Sequence, residues 1–374
     1  MSDRLMRWDP YVFSRGVGFE PLWRRHLAER PRNLLLVAGL GFDPRASDIA
    51  RTLLAYGGSG RRDLWLLRYD NAQQITPEQR ELVEANRRSF ESLFPNAGAV
   101  ERLDIAMRTD RGRSATCANT KAAVSRPDVL FTYDDVVIDI SAMPRMIALM
   151  TVAQLLALFD ARKGEAAPNL HVTASETVEQ DFARAEEELD EDVITLAGFS
   201  GRLDAESLRN PKIWLPILGE GQALRLSRIF DKVQPDEICP VVPFPSRDPR
   251  RGDRIIEGHQ RILFDEFRVE PRNIVYASEY NPFEAYRQVF NAIDRYRDAL
   301  VELEDCRVFV SPLSSKLLSI GALLACYDHK EQRSGRFHVG MPYVEAAAYG
   351  PFAGASDSQH EFSSMWLTGE WERL

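Results

Sequence analysis

The sequence predicts an α/β protein built from two Rossmann-like units with mainly parallel sheets. Short apolar runs, typical of strands buried on both faces, alternate with helical segments along most of the chain. In each half the first run leads into a glycine-containing turn, and the last leads into a polar turn followed by an apolar helix. This repeated order, more than residue identity, also indicates an internal duplication.

Length and composition fit this organisation. A chain of 374 residues with 44% hydrophobic residues can form two globular cores. The predicted parts are an N-terminal arm at 1–32, unit one at 33–175, an acidic linker at 176–210, unit two at 211–330 and a C-terminal covering segment at 331–374. The acidic run ETVEQDFARAEEELDED is typical of an exposed helix or linker, and the last segment is expected to cover an edge of the second unit or to form an interface.

Charge and residue spacing exclude several classes of function. The net charge of −9 and a pI near 5.4 give no general reason to bind nucleic acid. The N-terminus lacks the apolar core of a signal peptide and no apolar run is long enough to span a bilayer, so we expect a cytoplasmic protein without a membrane partner. The four cysteines show no CxxC spacing and the histidines no HExxH spacing, so we expect no metal site and no cofactor.

The first unit opens with a candidate anion-binding turn. Strand Asn33–Ala38 leads into Gly39 and Gly41, and an amphipathic segment at Ala46–Ala55 follows. Glycine lets backbone N–H groups approach a ligand, and the N-terminus of the next helix favours an anion. The third glycine of a dinucleotide-binding fingerprint is missing, so a tight turn without a ligand is the alternative interpretation.

The second unit repeats this order. Strand Lys212–Leu218 is followed by Gly219, and the loop after the next predicted strand contains Arg247 within an arginine-rich run. Arginine is suited to recognising phosphate, so Arg247 is a candidate ligand contact, although a solvated loop is the plainer interpretation. The unit closes with strand Val308–Val310.

The closing turns supply most of the candidate ligand-binding side chains. In the segment VVIDISAMPR, a buried strand delivers Asp139, Ser141 and Arg145 to one edge of the predicted sheet. Open α/β sheets bind their ligands at the carboxyl ends of strands. The corresponding side chains of the second closing turn are Ser314, Ser315 and Lys316. Such a set can recognise an anion but does not by itself activate a nucleophile.

The first closing turn resembles a motif of CRISPR-associated Rossmann-fold (CARF) ligand-sensing domains. The pattern Asp139-x-Ser141-x-x-x-Arg145 is similar to that family's Asp-x-Thr-Gly-Gly-Thr-Lys motif, and Ser315-Lys316 matches its hydroxyl-basic ending. The resemblance implies a cyclic-oligonucleotide or similar nucleotide ligand, held in a cleft between the two turns. It also implies a regulatory role in antiviral defence, with a separate effector protein as partner.

Two other classes of function stay open. An enzyme that cleaves an N-glycosidic or phosphoester bond would use strand-end carboxylates, for which Glu220 and Glu279 are the candidates, with Asp248 and His259 nearby in the sequence. Alternatively, degenerate Rossmann-like units would bind only another protein, as a scaffold without a ligand.

Overall fold

Two mostly parallel β-sheets form the framework of the chain in a computed structural model. The structure describes residues 6–70, 75–94, 98–162, 167–176, 188–203, 210–303, 306–331, 337–348 and 360–373. Within these residues each sheet has seven strands, and helices connect the parallel ones. The predicted α/β class with two Rossmann-like units is therefore confirmed.

The first sheet belongs to a unit formed by residues 10–187 and 348–374. Its strands are β1 (Val12–Arg15), β2 (Leu34–Leu40), β3 (Arg62–Asp70), β4 (Val100–Ala106), β5 (Asp135–Asp139), β6 (Asn169–Glu176) and β14 (Glu361–Thr368). Its helices are α1 (Phe19–Glu29), α2 (Asp48–Ala55), α3 (Pro77–Leu93), α4 (Thr116–Val124), α5 (Pro127–Leu130) and α6 (Arg145–Asp160).

The strand order of the first sheet is that of a Rossmann fold with an antiparallel extension. Strands run β1-β14-β6-β5-β2-β3-β4, and the parallel part from β4 to β6 has the order 3-2-1-4-5. Both β2 and β5 are buried along their whole length, as their continuous apolar runs predict. The order reverses between these two strands, which places the topological switch point at their carboxyl ends.

The second unit consists of residues 1–9 and 188–347. Its strands are β7 (Glu188–Ser200), β8 (Lys212–Ile217), β9 (Glu237–Ile238), β10 (Val241–Pro243), β11 (Val275–Ala277), β12 (Arg307–Pro312) and β13 (His338–Ala348). Its helices are α7 (Ala223–Val233), α8 (Arg251–Gly258), α9 (Pro282–Leu300) and α10 (Lys316–Glu331).

This second sheet repeats the Rossmann order. Its strands run β11-β10-β8-β12-β13-β7, with β9 paired to β8, and the pairs from β11 to β13 are parallel. The order reverses between β8 and β12, so the switch point lies at the carboxyl ends of these two strands. The second glycine turn follows β8, and the second closing turn follows β12. A shared topology agrees with the predicted duplication, which stays a prediction.

Two predicted segments differ from the structure. The range 176–210, predicted as an acidic linker, contains strand β7, because Ile194, Leu196 and neighbouring apolar residues outweigh the acidic residues at its start. Residues 177–187 and 204–209 of that range lie outside the described part. The final segment does not simply cover the second unit, since β13 lies inside the second sheet while β14 pairs with β6 in the first.

The helices show which local signals decide the fold. Helix α3 begins after Thr76 with a complete capping box, in which Thr76 Oγ1 accepts from the Gln79 N–H at 3.2 Å. Helix α6 is buried nearly all round, as expected for an apolar segment beside a parallel sheet. Among the described helices, none combines the length and apolar character needed to cross a bilayer.

Candidate functional site

The switch point of the first unit brings the glycine turn and the closing turn together. Strands β2 and β5 are parallel neighbours, with Ala38 opposite Asp139 in the register. Gly39 and Leu40 still pair with β3, so the predicted glycine turn begins inside β2, and Gly41 leaves the sheet beside Ile140 and Ser141.

Asp139 and Ser141 form a closed hydrogen-bond network within the closing turn. Both side chains are buried. The Asp139 carboxylate accepts from the Ser141 backbone N–H at 2.9 Å and from the Ser141 hydroxyl. Ser141 Oγ in turn accepts from the Ser175 N–H at 2.8 Å, which ties the turn to the end of β6. These two side chains fix the conformation of the turn. A ligand would therefore contact the backbone of the turn more readily than the polar atoms of Asp139 and Ser141.

The glycines of the first unit make room for other parts of the protein. A Cβ on Gly39 would lie 2.9 Å from Met143 Cγ, and one on Gly41 would lie 2.0 Å from the Tyr69 hydroxyl. That hydroxyl donates to the Ala142 carbonyl at 2.7 Å. Gly39 and Gly41 thus permit the closing turn and Tyr69 to pack directly on the glycine turn.

Asn86 of α3 holds the same turn from the other side. Its side-chain amide is buried and donates to the carbonyls of Gly41 and Asp43, each at 2.8 Å. Sequence reasoning missed Asn86 and Tyr69, because each is a single polar residue in a strand or helix far along the chain from its partner. Only their hydrogen bonds across the fold identify them.

Helix α6 begins directly at the switch point. Its first residue is Arg145 and its N-cap is Pro144, which has no side chain able to accept a hydrogen bond from the first turn. Ala142, Pro144 and Arg145 are partly exposed. The N-terminus of a helix of 16 residues carries partial positive charge and orients backbone N–H groups, and Arg145 adds a full charge. The arrangement is suited to an anion.

Further charged side chains surround this edge of the first sheet. Arg45 forms a buried ion pair with Asp43, at 2.6 Å between Nη2 and Oδ2, and its Nη1 donates to the Ser175 carbonyl at 3.3 Å. Asp48 at the start of α2 lies 2.9 Å from His360 Nδ1. Burial raises the pKa of Asp48, and the interaction with His360 only partly offsets this effect. Positively chargeable and acidic side chains are therefore paired with each other along this edge of the sheet.

The switch point of the second unit is also closely packed. A Cβ on Gly219 would lie 2.3 Å from the Leu313 carbonyl oxygen, so this glycine is required by the close approach of the two turns. Ser315 Oγ accepts from the Leu318 N–H at 3.4 Å and so caps α10. Ser314 and Ser315 are buried, whereas Lys316 is partly exposed.

The two candidate catalytic glutamates meet at one arginine. Arg251, at the start of α8, donates to Glu220 through Nε at 2.8 Å and Nη2 at 2.9 Å, and its Nη1 contacts Glu279. Glu220 follows β8 and Glu279 follows β11. The carboxyl ends of these two strands therefore meet at the first residue of α8. Arg251 is buried and was not singled out from the arginine-rich loop.

The remaining candidates of the second unit have local partners. Asp248 accepts from the Arg250 N–H at 2.9 Å and from Arg254, and these hydrogen bonds lower its pKa. His259 Nδ1 lies 2.7 Å from the Ile255 carbonyl oxygen within the same helical segment. The side chain of Arg247 is exposed.

A groove of about 290 Å³ lies at the opposite edge of the second sheet. Its lining includes Gly201 and Arg202 after β7, Lys330 at the end of α10, and His338 at the start of β13. Because β13 runs parallel to β12, this groove is at the amino ends of the strands, away from the closing turn. It contains none of the residues predicted to bind a ligand.

Comparison with known proteins adds little to this geometry. No family model matches the chain, and no curated protein matches it. Among solved structures the chain is similar to one described as a Type III CRISPR defence DNA nuclease activated by cyclic oligoadenylate. The TM-score is 0.42 with 10% sequence identity, covering 78% of this chain and 63% of that one. The chain therefore spans less than two thirds of that nuclease, and the similarity does not define its function.

Proposed function

We propose that this chain is a regulatory, ligand-binding subunit that holds a nucleotide-like anion at the switch point of the first unit. The observation that carries the proposal is the N-terminus of α6, which lacks a side-chain cap and begins with Arg145 beside the glycine turn. Anions bind at this place in Rossmann-ordered sheets because backbone N–H groups and the helix dipole point towards it.

The ligand class follows from the surroundings of that helix end. Strand β3 lies beside β2, and its carboxyl end is the place at which dinucleotide-binding sheets bond a ribose hydroxyl. Arg145 supplies the charge for a phosphate. With the resemblance of the closing turn to CARF domains, these features support an oligonucleotide ligand, a role in defence and an effector protein as partner.

The second unit is the weaker candidate for the same task. Its α10 is capped by Ser315, whereas Pro144 gives α6 of the first unit no side-chain cap. The carboxylates proposed for an enzyme, Glu220 and Glu279, are both held by Arg251. A general acid or base must reach a substrate proton, so this pairing supports binding over catalysis.

Isothermal titration with a cyclic oligoadenylate, a linear oligoadenylate and inorganic phosphate tests the proposal. We expect an oligoadenylate to bind and Arg145→Ala to weaken it by at least about tenfold, since a charge-assisted hydrogen bond contributes about 1.5–3 kcal/mol. Arg145→Lys should retain part of the affinity. Arg162→Ala is the matched control, because Arg162 lies just beyond the other end of α6, over the Phe131 ring.

Chromatography of the same mixtures separates the three classes of function. Binding without turnover supports the regulatory subunit. Turnover that disappears in Glu279→Gln would make the protein an enzyme instead. If no probe binds, or if Arg145→Ala binds as tightly as the unaltered chain, the ligand site is wrong and a scaffold becomes the better interpretation.

A further inference from the structure

Three potential metal ligands meet inside the first unit, at the edge of the sheet opposite the switch point. His26 lies near the end of α1, Asp135 begins β5 and His171 lies near the start of β6. His26 Nε2 is 2.8 Å from Asp135 Oδ1, and His171 Nε2 is 3.5 Å from the same oxygen. All three side chains are buried, and their ligand atoms lie within 4.8 Å of one another.

His171 is a buried side chain with unsatisfied polar atoms. Both of its ring nitrogens are buried, and neither has a hydrogen-bond partner among the residues that the structure describes. Its ring lies 4.8 Å from that of Trp23 and 4.9 Å from that of Trp366. Leaving a buried polar group unsatisfied costs about 1–3 kcal/mol, and an apolar side chain would fill the same space without that cost.

The Asp135 carboxylate has surroundings that suit the binding of a cation. Asp135 is fully buried, and Asn169 Nδ2 donates to its Oδ1 at 2.8 Å, a contact typical of the residues that orient a ligating carboxylate. The second carboxylate oxygen, Oδ2, is buried without a hydrogen-bond partner among the residues that the structure describes.

The neighbouring arginine does not neutralise that carboxylate alone. Arg32 Nη1 lies 3.6 Å from Asp135 Oδ2, while its Nη2 lies 2.9 Å from Glu370 and 3.3 Å from Glu29. Arg30 also pairs with Glu370 and with Asp134, so two guanidinium groups face four carboxylates in this cluster. A divalent cation at the histidines would balance the remaining negative charge.

We propose that His26, Asp135 and His171 bind a divalent transition-metal ion of the zinc class, which ties α1 to β5 and β6. Two imidazoles and one carboxylate form a donor set that zinc accepts, with a water molecule at the fourth position. Ligand atoms in a tetrahedral zinc site lie roughly 3.3 Å apart. The two separations from Asp135 Oδ1, 2.8 Å and 3.5 Å, lie on both sides of that value, and all three ligand atoms lie within 4.8 Å of one another.

Metal analysis of the full chain, purified without a polyhistidine tag and loaded with Zn²⁺, tests the site. We expect about one zinc ion per chain after gel filtration, and less than about a tenth of that in His171→Gln. His360→Gln is the matched control in the same unit, because His360 bonds Asp48 and is not one of the three ligands. Removal of zinc with a chelator should lower the melting temperature of the first unit by at least about 4 °C.

X-ray absorption spectroscopy of the zinc-loaded, unaltered chain keeps the test decisive if His171→Gln does not fold. Two imidazoles with oxygen ligands at roughly 2.0 Å would support the site. Sulfur ligands would place the metal at cysteines and overturn it. Retention of no zinc, or equal retention in a folded His171→Gln variant, would also overturn it.

Discussion

Replacement of Arg251 by methionine should destabilise the second unit more than any change at the exposed arginines beside it. Arg251 has 8% of its side chain exposed, and its guanidinium bridges Glu220 and Glu279. Methionine keeps much of the buried volume but removes the charge that both carboxylates share. The two carboxylates then lie close together without a counter-charge. Removing one partner of a buried ion pair is strongly destabilising, because it leaves an uncompensated charge.

The two bonds contribute unequally because the carboxylates differ in exposure. The Glu220 side chain is 33% exposed, so its pair has the value of a surface salt bridge, about 0.5–1 kcal/mol. The Glu279 side chain is 14% exposed, and loss of its partner should cost about 2–3 kcal/mol. Arg251→Met should therefore lower the free energy of unfolding by about 3 kcal/mol, Glu279→Gln by about 2 kcal/mol and Glu220→Gln by less than about 1 kcal/mol.

Differential scanning calorimetry of the full chain measures these changes if the transition of each unit is resolved. A loss of about 3 kcal/mol corresponds to a fall of roughly 6–12 °C in the melting temperature of a unit of this size. Arg254→Met is the matched control, since Arg254 lies in the same helix, pairs with Asp248 and has 47% of its side chain exposed. The reasoning is refuted if Arg254→Met costs as much as Arg251→Met, or if Glu220→Gln costs more than Glu279→Gln.

Three further predictions concern stability. Gly219→Ala should destabilise the second unit by several kcal/mol, because its Cβ would meet a backbone carbonyl oxygen at 2.3 Å, whereas Gly258→Ala in α8 meets open space and should be neutral or stabilising by up to about 1 kcal/mol in urea denaturation. Burial raises the pKa of Glu370, but hydrogen bonds from two arginines outweigh burial and lower it to about 2. The contribution of Glu370 to the free energy of unfolding is complete above about pH 4.5 and is lost as the pH falls towards 2. In calorimetry, the melting temperature of the first unit should therefore fall less between pH 4.5 and pH 2 in Glu370→Gln than in the unaltered chain. An equal fall in both would contradict this prediction. Thr76→Ala removes the capping box of α3 and should cost about 1 kcal/mol, with faster hydrogen exchange confined to the first turns of that helix.

Most elements could be predicted from the sequence because their signals are local. The start of α3, for example, is marked by Thr76 at the N-cap and Pro77 in the first turn. Strands β2 and β8 show the continuous apolar runs of strands covered on both faces. Errors occurred where local composition opposed tertiary pairing, as in β7, whose acidic start suggested a linker.

The candidate site was predictable in position but not in contacts. Placing Asp139, Ser141 and Arg145 at a strand end required only the strand and the helix after it. That Asp139 and Ser141 bond each other, while Arg145 begins a helix without a side-chain cap, depends on how the turn closes on Ser175. Likewise, no spacing rule relates Glu220 to Glu279 through Arg251.

The sequence by itself determined the α/β class, the two Rossmann-like units and the two turns, because periodicity, glycines and caps act within a few residues. Tertiary structure alone decided which distant side chains meet. His26 and Asp135 are 109 positions apart in the chain, and they lie 2.8 Å from each other only because α1 packs beside the start of β5. Contacts of that kind depend on strand order and packing, which a local pattern does not encode.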